Sequence, residues 1–190
     1  MSQPATDEST FSQNELLVFE TLLAQNPLRH LSPQIELPDP SELSAIWQTI
    51  HEDLNCNWRK SMSCGLWLLL GEWEKAHEVS QDLNSPEGAY WHGIAHRIER
   101  DFWNAKYWFR QLGGHPVSDT LLDFVQHTTH GSTMPWSELN TWYFGSWIDW
   151  YESAKSPELM KIADAIATAE WRFLMRYSVK QIRASQGSKS

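Results

Sequence analysis

Apolar residues recur along this chain at three- and four-residue spacing, and period-two alternation bounded by hairpin turns is absent. That pattern predicts an all-α protein. Phe11, the capping box Ser12-Gln13-Asn14-Glu15 and then Leu16 start a helix at residue 13, with Leu16, Phe19 and Leu23 on its buried face. Residues 26–38 hold three prolines and read as an irregular connection. Asp39-Pro40-Ser41-Glu42 opens a second helix, carrying Leu43, Ile46, Trp47, Ile50 and Leu54. The same start signal returns at Ser85-Pro86-Glu87 and at Ser156-Pro157-Glu158. The last helix is long: Leu159, Ile162, Ile166, Phe173, Leu174 and Tyr177 form its stripe, and Arg172, Arg176, Lys180 and Arg183 are placed to offset the C-terminal dipole. Before it, Leu121, Leu122 and Val125 predict a short helix, and Trp136, Leu139, Trp142, Trp147 and Trp150 a longer one.

An offset of 29 residues aligns Gly71-Glu72-Trp73-Glu74-Lys75-Ala76 with Arg100-Asp101-Phe102-Trp103-Asn104-Ala105, and Leu83 with Leu112. A turn, an aromatic that fills the inter-helix angle and an Ala that permits close approach are what a helix hairpin needs. The pattern resembles the tetratricopeptide repeat, which implies first helices over 58–70 and 86–98 and second helices over 72–83 and 102–112. It departs from that family in its short offset and in having Arg100 at the turn glycine, so a compact bundle of antiparallel hairpins is expected in place of a regular solenoid. The run Tyr90-Trp91-His92-Gly93-Ile94-Ala95-His96-Arg97, with Asp101, Asn104-Ala105-Lys106-Tyr107-Trp108-Phe109-Arg110 and His115-Pro116, also resembles the core of an uncharacterised helical family of bacteria and fungi. That likeness implies no reaction.

Of the 190 residues, 41% are apolar and 21% charged, which excludes collagen-like and wholly disordered chains. Residues 1–10 and 185–190 are too polar to offset their ordering entropy and read as tails, leaving one helical domain over 11–184. The net charge of −9 offers no footprint for a phosphate backbone, so nucleic acid is not an expected partner. The longest apolar stretch, from Cys64 to Leu70, is too short to cross a bilayer, and the N-terminus is not a secretory signal. Cys56 and Cys64, if on one helix, stand about 12 Å apart, beyond disulfide reach. A reduced, cytoplasmic protein is expected.

Twelve Trp and eight His are the compositional excess that points to chemistry. His92, His96 and Glu99 lie at i, i+4 and i+7, hence on one helical strip. Two imidazoles at that spacing can share zinc or iron, with Glu99 or a residue from elsewhere as third ligand. Gly93 stands where a zinc protease needs its general-base Glu, so zinc proteolysis is not supported. Trp91, Ile94, Ala95 and Ile98 border the strip, which predicts buried imidazoles. The competing reading makes His92 and His96 a hydrogen-bonded core pair satisfied by Asn104, Asp101 or carbonyls. His127 and His130 form a second spaced pair at a helix end, where the dipole accounts for them. His115 stands on a loop after Gly113-Gly114; an exposed turn is expected there, with folding back on the site as the alternative.

Aromatics at 102, 103, 107, 108 and 109 predict a central helix packed on both faces. Arg97, Lys106 and Arg110 among them either stack structurally or face an anionic ligand. Two functions follow. The first is a small-ligand or divalent-metal protein, its enzymatic status open, with His92, His96 and Glu99 as ligands and Trp91, Arg97, Lys106, Tyr107, Trp108, Arg110 and His115 around them. The second is a hairpin-repeat module that holds a peptide, with the His pair structural.

Overall fold

The computed structural model describes residues 57–69, 71–128 and 141–187. The expected N-terminal tail, the two helices before residue 56, Cys56, His130, Trp136 and Leu139 lie outside them. Seven helices and no strand occupy the described residues, so the fold is all-α: α1 (Asn57–Leu69), α2 (Trp73–Gln81), α3 (Pro86–Ile98), α4 (Phe102–Arg110), α5 (Pro116–Thr128), α6 (Phe144–Ser153) and α7 (Pro157–Gly187). No helix among the described residues is long and apolar enough to cross a membrane.

The first four helices form two consecutive hairpins, and the helix ends fall within two residues of those the 29-residue offset predicts. Both hairpins turn identically. After α1, Gly71 (φ 79°) donates its N–H to the Leu68 carbonyl at 3.0 Å and Glu72 to Trp67 at 2.8 Å. After α3, Arg100 (φ 70°) donates to Arg97 at 3.1 Å and Asp101 to His96 at 2.9 Å. Each is the paired-bond C-terminal cap that a left-handed residue makes possible. The buried alanines Ala76 and Ala105 then let each return helix approach its partner.

Helix α3 is the hub: it packs on α1, α2 and α4, and eleven of its thirteen residues are buried. Ser85 starts it as expected, its hydroxyl accepting from Gly88 N–H at 3.2 Å. Ser156 does the same for α7, accepting from Leu159 N–H at 3.3 Å. Helix α7 closes the core against α1 and α5. The approach to α1 is close at Gly65, where a Cβ would stand 2.3 Å from Met175 Sδ, and Trp171 Nε1 donates to the Gly65 carbonyl at 2.8 Å. Cys64 is free and buried in this contact region, its thiol pushed up by desolvation.

Four expectations need correction. Helix α4 is not buried on both faces: only Ala105 and Phe109 are fully inside, Trp103 is 71% exposed and Tyr107 is also exposed, because α3 and α6 cover one side alone. The dipole role of Arg172, Arg176, Lys180 and Arg183 is not met, since α7 runs on to Gly187 and its last turn holds no base. Trp142 lies before α6, not within it, although it is buried. His115 is buried and caps α5, its Nδ1 accepting from Val117 N–H at 3.2 Å.

Candidate metal centre

Folding α2 back along α3 about Asn84–Ser85 brings residues equidistant from that turn face to face. His77 therefore meets the His strip. Its Nε2 lies 2.9 Å from His92 Nε2 and 3.3 Å from His96 Nε2, and the three ligand atoms all fall within 4.8 Å of one another. The rings are fixed from several sides. His77 stands edge-on to both partners, His92 and His96 stack with centroids 4.8 Å apart, and Trp108 stacks on the other face of His92 at 4.0 Å. As predicted, the imidazoles of α3 are buried: His92 is 4% exposed and His96 7%, whereas His77 is half-buried and forms the solvent side.

Glu99 is not beside the convergent nitrogens. It hydrogen-bonds His96 Nδ1, on the opposite edge of that ring. A carboxylate accepts only, so Nδ1 carries the hydrogen, and in the neutral imidazole Nε2 then presents its lone pair to the centre. Asp101 comes near His96 and Glu99, but its oxygens cap α4, accepting from Asn104 N–H at 3.1 Å and from Asn104 Nδ2 at 2.7 Å. Asn104 is thereby occupied as well, and neither residue satisfies the His pair in the way the core-pair reading expected. His92 Nδ1 is buried without a hydrogen-bond partner among the described residues.

Burial lowers the His92 pKa to about 3, assisted by His77 and His96, and lowers that of His77 with His96 adding to the effect. Both rings are neutral at pH 7, which is the form that binds metal. Hydrogen bonding alone does not satisfy the cluster. With His96 Nε2 a lone pair, a proton on His77 Nε2 serves one neighbour well, and a lone pair there confronts that of His96. A cation at the centre accepts all three. Zinc–nitrogen bonds of about 2.0–2.1 Å in a tetrahedron separate the nitrogens by about 3.3 Å, close to the two spacings that His77 makes.

The remaining candidates disperse. Trp108 alone joins the cluster. Trp91 is a core pin, its Nε1 donating to Ser61 Oγ at 3.0 Å, with Ser178 Oγ 3.2 Å beyond. Arg97 is buried against Glu170 at 2.5 Å and lies over Trp147 and Tyr151, the structural stacking that one reading expected. Lys106 pairs with Asp149 at 2.7 Å near the surface, Tyr107 stacks on Trp103, and Arg110 is exposed. His115 does not fold back on the triad: its neighbours are Tyr90, Tyr177 and Glu87, whose Oε1 lies 3.8 Å from His115 Nε2. His127 sits exposed at the end of α5, bonded to the Asp123 carbonyl at 2.7 Å.

His77 is the residue that the helical-strip argument misses, because it lies on another helix. Mirroring the sequence about the α2–α3 turn would have found it: His77 and His92 stand at nearly equal distances from Asn84–Ser85. Comparison of the chain with protein-family models, curated proteins and solved structures finds no match.

Proposed function

We propose that this protein binds a divalent transition metal, zinc or iron, through Nε2 of His77, His92 and His96, with Glu99 orienting His96. The observation that carries the reading is three imidazole nitrogens within 4.8 Å of one another, with His77 Nε2 at 2.9 and 3.3 Å from the other two. Neutral imidazoles favour borderline metals over magnesium and calcium, which take oxygen ligands. Three protein ligands leave a fourth position for water or a small ligand, the arrangement that catalytic zinc sites use. A reducing compartment suits the free, buried Cys64.

Elemental analysis of protein purified without an affinity tag should find stoichiometric metal. After chelation, calorimetric titration should restore one equivalent of zinc; His77→Gln and His92→Gln should lose it while the circular dichroism spectrum is kept. Glu99→Gln should bind about 10- to 100-fold more weakly, the usual cost of losing such a support. Affinity should fall with acid as protons compete for the same lone pairs. A wild-type protein that takes up no zinc at neutral pH, or a His77→Gln protein that still does, overturns the reading.

A second reading is a hairpin-repeat module that docks a peptide. It is favoured by the exposed face of α4, where Trp103 stacks on Tyr107 beside Arg110, residue types that dominate binding surfaces. Metal content separates the two.

A further inference from the structure

The 29-residue repeat has a consequence away from the imidazoles. Its equivalent residues, Gly71 with Arg100 and Trp73 with Phe102, line one wall of a half-open cleft of about 350 Å³. Tyr151 and Lys155, from the end of α6 and the loop after it, and Met160 and Asp164, from the start of α7, line the rest. The volume falls in the lower part of the range for small-molecule sites, about 300–1,000 Å³.

The charges in this cleft do not pair with one another. Arg97 lines it too, but its guanidinium is committed to the buried Glu170. Arg100 and Lys155 are exposed and have no ion-pair partner among the described residues. Asp164 is half-buried; desolvation raises its carboxyl to about 6, and no cation stands near enough to bring it down. Cations and carboxylate thus line one cleft and form no ion pair across it. Arg100 also occupies a left-handed position that the other hairpin gives to glycine, a conformation that strains any residue with a Cβ. Strained backbone of this kind clusters at ligand-binding sites, and here it carries a charged side chain that lines a cleft.

We propose that this cleft binds a small zwitterion with an apolar or aromatic side group. Its anionic end meets Arg100 and Lys155, its ammonium meets Asp164, and its body lies against Trp73, Phe102, Tyr151 and Met160. A plain anion leaves Asp164 unpaired and a plain amine leaves the two cations unpaired, whereas a free amino acid answers both.

The test is calorimetric titration of the full chain with L-phenylalanine, 3-phenylpropionate and 2-phenylethylamine, in excess chelator so that amino-acid coordination at the imidazole cluster does not contribute. L-Phenylalanine should bind at least tenfold more tightly than either one-charge analogue. Asp164→Asn should bring it to the level of 3-phenylpropionate, and the double variant Arg100→Gly/Lys155→Ala to that of 2-phenylethylamine, with melting curves confirming that both variants fold. Absence of binding by all three compounds, equal binding of all three, or wild-type affinity for L-phenylalanine in both variants overturns the proposal.

Discussion

Hairpin α1–α2 and hairpin α3–α4 close through a left-handed residue at the same position and the same pair of backbone bonds, yet matched positions carry different chemistry. Where the first has Ser63, Trp67, Leu68 and Gly71, the second has His92, His96, Arg97 and Arg100. The turn depends only on backbone geometry and on a small residue at the helix contact, so its side chains are free to diverge. Divergence has gathered polar groups on α3, the helix covered from three sides. Buried polar groups need partners, and one hairpin does not supply them all: His96 finds Glu99 beside it, but Arg97 takes Glu170 from α7 and the imidazoles take His77 from the first hairpin.

Exchanging matched residues between the hairpins breaks this comparison most strongly at Arg97. Burial pushes the Glu170 carboxyl up while the Arg97 guanidinium beside it pulls it down, so each ion depends on the other. Arg97→Leu, which installs the type of side chain that Leu68 already places in the first hairpin, should cost about 3–5 kcal/mol by denaturant unfolding, because it strands a buried charge. The double variant Arg97→Leu/Glu170→Leu should recover most of that loss. A single variant within about 1 kcal/mol of wild type would show that water or backbone compensates Glu170.

The repeat aromatics come next. Trp73 and Phe102 pack against the core but are only partly buried. Replacing either with Ala should cost about 1–3 kcal/mol, less than the 3–5 of a fully enclosed ring. The two losses should be similar if the hairpins are equivalent, and a large inequality in thermal denaturation would show that one aromatic serves the cleft more than the fold.

These partners explain what the sequence makes legible. Helix starts are local, and Ser85-Pro86-Glu87 and Ser156-Pro157-Glu158 declare them within three residues. The His92–His96 strip is local as well. His77 and Glu170 are not, because each is positioned by packing between helices, and of the two only His77 lies across a short turn from its partners, where pairing can be read by reflection. Glu99 is on the expected strip but serves His96 from behind, since the direction of a ring nitrogen does not follow from spacing. Aromatic density misleads for α4, where Trp103 and Tyr107 meet solvent although their type suggests a core.

Acid should separate the cluster from the cleft in metal-free protein. His92 is held at about 3 in the fold against an ordinary 6.5. As pH falls below 6.5 the unfolded chain takes a proton that the folded ring refuses, and stability is lost. Asp164 runs the other way: at about 6 in the fold against 3.8, it takes its proton first when folded and adds stability as pH falls from 6. Thermal unfolding between pH 6.5 and 5.5 should show a His92 loss of up to about 1 kcal/mol, the linkage of a single proton. His92→Ser, which matches Ser63 of the first hairpin, should flatten that loss, and Asp164→Asn should steepen it. A pH slope that neither variant alters would place the titrating groups elsewhere.

The smallest effects belong to the turns themselves. Gly71→Ala puts a Cβ at φ 79° with nothing within 4 Å of it, so its cost is conformational alone, about 1 kcal/mol. Arg100→Gly removes the same strain from the second turn, worth about 1–2 kcal/mol. Glycine also adds freedom to the unfolded chain, which takes back about 0.4–1 kcal/mol. The net expectation lies between no change and a gain of about 1.6 kcal/mol, seen as a small rise in Tm. The opposite signs follow from one shared backbone geometry, so the pair of variants measures the equivalence of the turns directly. If Arg100→Gly instead lowers Tm, the arginine side chain contributes more to the fold than its backbone costs, and the strain at the mouth of the cleft is structural in purpose.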